Sequence, residues 1–132
     1  MTRKIGIVCC SDGFNRAYEG EIEELHRILA DMGIESVLSP FLYARDGVAG
    51  GTAEERAKAV MDFYLDDTID AICDISGGDI ANGILPYLDY SVIAKMDKHF
   101  WGYSDLTTVL NAIYAKTGQT GVLYQIRNVL YK

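Results

Sequence analysis

Phe100-Trp101-Gly102-Tyr103-Ser104-Asp105, continued by Leu106-Thr107-Thr108-Val109-Leu110-Asn111-Ala112-Ile113, is the stretch whose reading decides the fold. Its first half is apolar with aromatic weight, as in a buried strand. Leu106, Val109, Leu110 and Ile113 then recur at the three-and-four spacing of a helix, so Ser104 sits at a strand-to-helix corner. Two roles suit a serine there. On a tight turn it is lifted above the end of the sheet, with the next backbone N–H and the positive end of the helix beside it to receive an oxyanion. Gly102 leaves room for such a turn. As a helix N-cap, with Asp105 complementing the dipole in the first turn, the same serine has a purely structural role, and the full G-x-S-x-G pattern is missing.

Outward from this corner the chain alternates strands and helices. Residues 5–10 read as a fully buried first strand, left by the loop Ser11-Asp12-Gly13-Phe14-Asn15. Tyr18, Ile22, Leu25, Leu29 and Met32 mark one face of a helix closed by Gly33, and its other face carries Glu19, Glu21, Glu23, Glu24 and Arg27 as a solvated surface. A second strand spans 34–38. Residues 41–51, including Arg45-Asp46-Gly47 and Gly50-Gly51, have neither period and read as a long loop of the kind that is often functional. Thr52 and Glu55 form a capping box that opens a helix with Ala53, Ala57, Val60, Met61 and Tyr64 inside. A third strand, 71–75, turns off through Ser76-Gly77-Gly78-Asp79. Two glycines there let backbone N–H groups face an anion or oxyanion, although a tight turn alone accounts for them equally well. A short helix over 80–85 is expected to end at Pro86, another covers 89–96, the corner helix runs to Thr117-Gly118, and a last strand takes 121–125. Apolar strands alternating with helices specify an α/β fold: one three-layer domain over 1–132 with an open parallel sheet, flavodoxin- or Rossmann-like. The turns after Cys10, Ile75 and Tyr103 all leave carboxyl ends of strands, the ligand edge of such sheets.

The totals exclude several classes. Nineteen acidic against 12 basic side chains give a formal net charge of −7, and no run of Lys or Arg appears, which argues against a nucleic acid or an anionic membrane surface as partner. No apolar stretch approaches the ~20 residues of a membrane span. The short apolar run after Met1-Thr2-Arg3-Lys4 is no signal-peptide core, so a cytoplasmic location is the default expectation. Cys9, Cys10 and Cys73 make no disulfide framework and read as inert buried thiols. His26 and His99 are not paired at metal-ligand spacing, so no metal is expected.

Three stretches carry a resemblance. Gly51-Thr52-Ala53-Glu54-Glu55-Arg56-Ala57, then Ile75-Ser76-Gly77-Gly78 with Asn82, Leu85 and Leu88-Asp89-Tyr90, then Gly102-Tyr103-Ser104-Asp105-Leu106-Thr107, occur in the order and spacing of the LD-carboxypeptidase family of serine peptidases. Within it they are most similar to the microcin C immunity branch. The likeness spans the chain from the Ile5 strand to about Leu123. It implies that Ser104 is a nucleophile rather than a cap, and that the backbone N–H groups of Asp105 and of Gly78, or its neighbour Gly77, are oxyanion donors. It implies hydrolysis of an amide next to a free carboxylate, in a cell-wall peptide or a peptidyl-nucleotide, without a cofactor.

The family completes its triad with a glutamate and a histidine in a second, C-terminal domain, and no counterpart of that domain follows in this sequence. Ile126-Arg127 also stands where the family usually has Gly-Pro. His99 precedes Ser104 by five residues in an extended segment, roughly 16 Å away, too far to act as its base, and His26 has no evident orienting acid. The expectation is therefore a nucleophile-bearing domain inactive or very weak alone. The alternative is a non-catalytic ligand-binding or dimerisation module of the same fold. Val122, Leu123, Tyr124, Ile126, Val129, Leu130 and Tyr131 crowd the last eleven residues, which predicts a homodimer or a contact with the missing domain. A third possibility is phosphate or nucleotide binding at the Ser11-Asp12-Gly13 and Gly77-Gly78 turns. It lacks the dinucleotide glycine spacing and has Asp12 and Asp79 where an anion would sit.

Overall fold

The computed structural model describes residues 3–45 and 47–131. Met1, Thr2, Asp46 and Lys132, which entered the readings of the N-terminus, the long loop and the chain end, lie outside the described residues. Five strands, β1 (Arg3–Val8), β2 (Ile34–Leu38), β3 (Ala71–Asp74), β4 (His99–Gly102) and β5 (Val122–Leu123), form one sheet in the order β2-β1-β3-β4-β5, and every pairing is parallel. Four α-helices connect them: α1 (Glu19–Asp31), α2 (Ala53–Leu65), α3 (Tyr90–Lys95) and α4 (Thr107–Thr117).

Side chains alternate across each strand, so β1 divides its apolar run between two cores. Ile5, Ile7 and Cys9 join Cys73 and Ile75 against Ile22, Leu25 and Leu29 of α1. Val8 and Cys10 join Ile72 and Phe100 against Ala57, Val60 and Tyr64 of α2, Ile93 of α3 and Val109 and Ile113 of α4. Each fully buried Leu or Ile contributes about 1.5–3 kcal/mol of transfer free energy. With helices on both faces, β1 over residues 5–8 and β3 over residues 71–73 carry no charged side chain.

Boundaries depart from expectation where local packing intervenes. The first helix begins at Glu19 because Asn15 starts a 3-10 turn over Arg16–Tyr18, its side chain accepting from the Ala17 N–H. The Thr52–Glu55 capping box forms in full. Pro86 does not end its helix: it lies inside a 3-10 turn, Ala81–Tyr87, where one missing donor removes a single bond. The last strand shrinks to Val122–Leu123, and the chain then turns into a 3-10 segment, Ile126–Tyr131, that seats Ile126 in the α1-side core. No helix among the described residues is long and apolar enough to cross a membrane.

Candidate active site at the carboxyl edge of the sheet

Strand order reverses between β1 and β3, so the loops leaving them diverge and open a crevice at their carboxyl ends. The loop after β4 lies beside the loop after β3, because those strands pair directly. Ser11-Asp12, Gly77-Gly78 and Ser104-Asp105 therefore meet at one edge, as the sequence predicts.

At the corner, Ser104 opens a 3-10 turn (Ser104–Leu106) that leads into α4, with φ 58°, the one positive φ at a non-glycine position among the described residues. This left-handed conformation is disfavoured for an L-residue by about 1–2 kcal/mol. The N-cap alternative does not hold. Tyr103 occupies the cap position, no side chain caps the turn, and the Ser104 side chain stands exposed. Gly102 is glycine because a Cβ would come within 2.7 Å of the Leu106 Cβ as the chain folds back over the strand end. Leu106 N–H donates to the Tyr103 carbonyl at 3.1 Å and Thr108 Oγ1 to the Asp105 carbonyl at 2.9 Å, which tightens the corner.

The Asp105 side chain is not free to face a ligand. One oxygen, Oδ2, accepts from the Ser11 hydroxyl at 2.6 Å and from the Ala81 N–H at 2.8 Å, and Ser11 Oγ in turn accepts from the Ile80 N–H at 3.3 Å. The serine corner is thus tied to the far end of the glycine turn through a buried serine on the first loop. At that turn Gly78 has φ 135°, which favours glycine, and a Cβ there would have to push the Asp12 carboxylate aside; Gly77 faces open space. The Asp12 N–H donates to the Gly77 carbonyl at 3.2 Å.

The described residues of the long loop are tied to the first loop despite lacking a period. Gly13 N–H reaches the Val48 carbonyl, Phe14 N–H the Leu42 carbonyl and Ala44 N–H the Phe14 carbonyl, each at 2.8 or 2.9 Å, and the Arg16 guanidinium lies 4.1 Å over the Tyr43 ring.

Below the loops, Asp74 is buried at the end of β3. Its carboxylate accepts from the Cys10 N–H and from the Ser76 N–H, both at 2.7 Å, and from the Ser76 hydroxyl. Burial still raises its pKa above the ordinary carboxyl value, against these hydrogen bonds. All three cysteines are free and buried. Burial first, then the Asp74 charge, raises their pKa values, that of Cys73 to about 12, which fits the inert reading.

Neither histidine reaches this edge. His99 begins β4 at the opposite end, with Nδ1 2.8 Å from the Thr120 carbonyl, and His26 on α1 pairs with Ser36 at 2.5 Å. No group of three His, Cys, Asp or Glu among the described residues could hold a metal. Sequence reasoning missed Asp74, the side-chain role of Asp105, and Arg56, which is 6% exposed and donates to three backbone carbonyls.

Residues 5–125 match the LD-carboxypeptidase N-terminal domain. Among curated relatives, the chain is 38% identical over 104 residues to the microcin C7 self-immunity protein MccF of Escherichia coli, covering 79% of this chain and 29% of that protein. It is 33% identical over 90 residues to a probable murein peptide carboxypeptidase of Bacillus subtilis (strain 168), covering 68% and 28%. The chain thus spans less than a third of these relatives. The structure of MccF in complex with glutamyl sulfamoyl guanosine superposes with TM-score 0.83 at 31% identity, over 88% of this chain and 35% of that one. MccF in complex with aspartyl sulfamoyl adenosine gives 0.84 at 31%, over 89% and 35%.

Proposed function

The chain belongs to the LD-carboxypeptidase family, matching its N-terminal domain, and on that footing we propose that it is the nucleophile-bearing part of a serine peptidase hydrolysing an amide next to a free carboxylate. Ser104 Oγ attacks the amide carbonyl, and its proton passes to a general base. The N–H groups of Asp105 and Gly78, with Gly77 adjoining, stabilise the oxyanion. Collapse of the tetrahedral intermediate expels the protonated amine and leaves an acyl-serine, which water hydrolyses.

One observation carries this reading: Ser104 alone among the described non-glycine residues is held at positive φ, on an exposed corner at the carboxyl edge of the sheet. The MccF complexes favour a peptidyl- or aminoacyl-nucleotide substrate, and the Bacillus relative a murein peptide. His26 and His99 both lie away from Ser104, so the base and its orienting acid come from outside this sequence, as the family's histidine and glutamate. The isolated chain is then a poor catalyst.

The test is intact mass after prolonged exposure to a fluorophosphonate at high concentration, with Ser104→Ala beside it, together with turnover of an L,D-tetrapeptide. Slow single labelling lost in the variant, with negligible turnover, is expected. No adduct, or the same adduct in the variant, refutes the nucleophile; brisk turnover by the chain alone refutes the missing base.

A non-catalytic ligand-binding or dimerisation module of the same fold is favoured by the exposed apolar side chains of Tyr103 and Leu123, which lie together beside the Ser104 corner. A homodimer in sedimentation at tens of micromolar, with Ser104 unlabelled, selects it.

A further inference from the structure

Arg56 stands on the inner face of α2, and its guanidinium reaches up beneath the three loops of the candidate site. Nε donates to the Cys10 carbonyl at 2.9 Å, Nη1 to the Gly51 carbonyl at 2.9 Å and Nη2 to the Ile80 carbonyl at 3.3 Å. These carbonyls belong to three different segments: the end of the β1 strand run, the end of the long loop, and the exit of the Gly77-Gly78 turn.

Each carbonyl is one half of a peptide group, and the other half of each is also held. The Ile80–Ala81 peptide gives its N–H to Asp105 Oδ2 at 2.8 Å. The Gly51–Thr52 peptide gives its N–H to Glu55 Oε1 at 2.9 Å. The Cys10–Ser11 peptide gives its N–H to the Ser76 hydroxyl at 3.1 Å, and that hydroxyl donates onward to Asp74. The buried cation therefore faces three carboxylates, two through a single peptide group and one through a peptide and a hydroxyl. A peptide with a cation at its oxygen and an anion at its N–H is polarised along its own dipole, which strengthens both bonds and leaves it one orientation.

We propose that Arg56 is a positioning residue for the oxyanion turn: by gripping the Ile80–Ala81 peptide opposite Asp105, it locks Gly77-Gly78 to the Ser104 corner, and its other two bonds anchor the neighbouring loops to the same point. This rests on the reading of Ser104 and Gly78 given above. Lysine cannot replace it, because the three carbonyls are met by three different nitrogens spread across one planar guanidinium, whereas an ammonium offers its donors from a single nitrogen.

The experiment compares wild-type and Arg56→Lys chains by amide hydrogen exchange in NMR, alongside fluorophosphonate labelling of Ser104. In the lysine variant the amides of Ser11, Thr52 and Ala81 are expected to exchange roughly tenfold or more faster, the loss corresponding to a hydrogen bond in a charge-assisted chain. The Gly78 amide resonance shifts with them, the β2 and α4 amides stay as in wild type, and labelling slows about tenfold. A folded variant with these amides unmoved overturns the proposal. Wild type supplies a second check that needs no variant: the Arg56 Nε–H should give a resolved, slowly exchanging signal, and free exchange with water overturns the proposal as well. Failure of Ser104 to label in wild type would instead sink the nucleophile reading, and the amide comparison would still decide on Arg56.

Discussion

Replacing Ser104 by glycine should make the protein more stable than replacing it by alanine, an inversion of the usual order. Both variants lose the exposed hydroxyl, so their difference isolates the Cβ at φ 58°. The left-handed conformation costs an L-residue about 1–2 kcal/mol. The greater freedom of glycine in the unfolded chain offsets about 0.4–1 kcal/mol of that. Glycine is thus favoured by about 0.5–1 kcal/mol, which for a domain of this size is a rise of about 2–4 °C in Tm. Calorimetry of Ser104→Gly and Ser104→Ala reads the difference directly, and urea titrations with equal m-values check that only the folded state has changed. Alanine itself should stay within about 0.5 kcal/mol of wild type, since it keeps the strain. If Ser104→Gly melts at or below Ser104→Ala, the corner is not strained, and the observation carrying the nucleophile reading is gone.

Gly78→Ala should cost about 2 kcal/mol or more, because it adds the positive-φ penalty to an overlap with the Asp12 carboxylate, whereas Gly77→Ala, facing open space, should be nearly neutral; denaturant midpoints of the pair separate the two. The three thiols should resist an aromatic disulfide reagent at pH 8 in the folded chain and react together on unfolding, as burial raises the pKa of each and that of Cys73 to about 12. A thiol that reacts in the native state contradicts that burial. Asp74 should impress its titration on stability. Burial makes the folded chain hold the Asp74 proton more tightly than the unfolded chain does, so the stability of wild type relative to Asp74→Asn falls as pH rises from about 4 through the raised pKa, then levels off. A difference that rises over that interval refutes the assignment.

The parallel sheet, its two helical layers and the gathering of three turns at one edge were legible in the sequence because each depends on local pattern. Apolar runs mark strands, three-and-four spacing marks helices, and polar or glycine-rich residues mark the turns. Local pattern alone did not settle the cap-or-corner choice at Ser104, because serine suits both; the resemblance of three stretches in register favoured the corner, and the backbone angle is what sets it apart from a cap. Pro86 misled for a related reason: the rule that proline ends a helix is a rule about α-helices, and the segment is a 3-10 turn.

The links among the loops were hidden more deeply. Ser11 and Asp105 are 94 residues apart, and no period in either segment says that a hydroxyl from one will meet a carboxylate from the other. Arg56 did leave a signal. It falls between Ala53, Ala57 and Val60 on the face of α2 that packs against the sheet, where a charge is out of place unless it is satisfied. Satisfaction by three carbonyls requires three backbone segments to end within reach of one guanidinium, and only the order β2-β1-β3 of the folded sheet brings them there. A charged residue on an otherwise apolar helix face near a strand edge is thus a pointer that sequence can supply. What it points to is set by the topology, and here that is the turn lying between the first loop and the Ser104 corner.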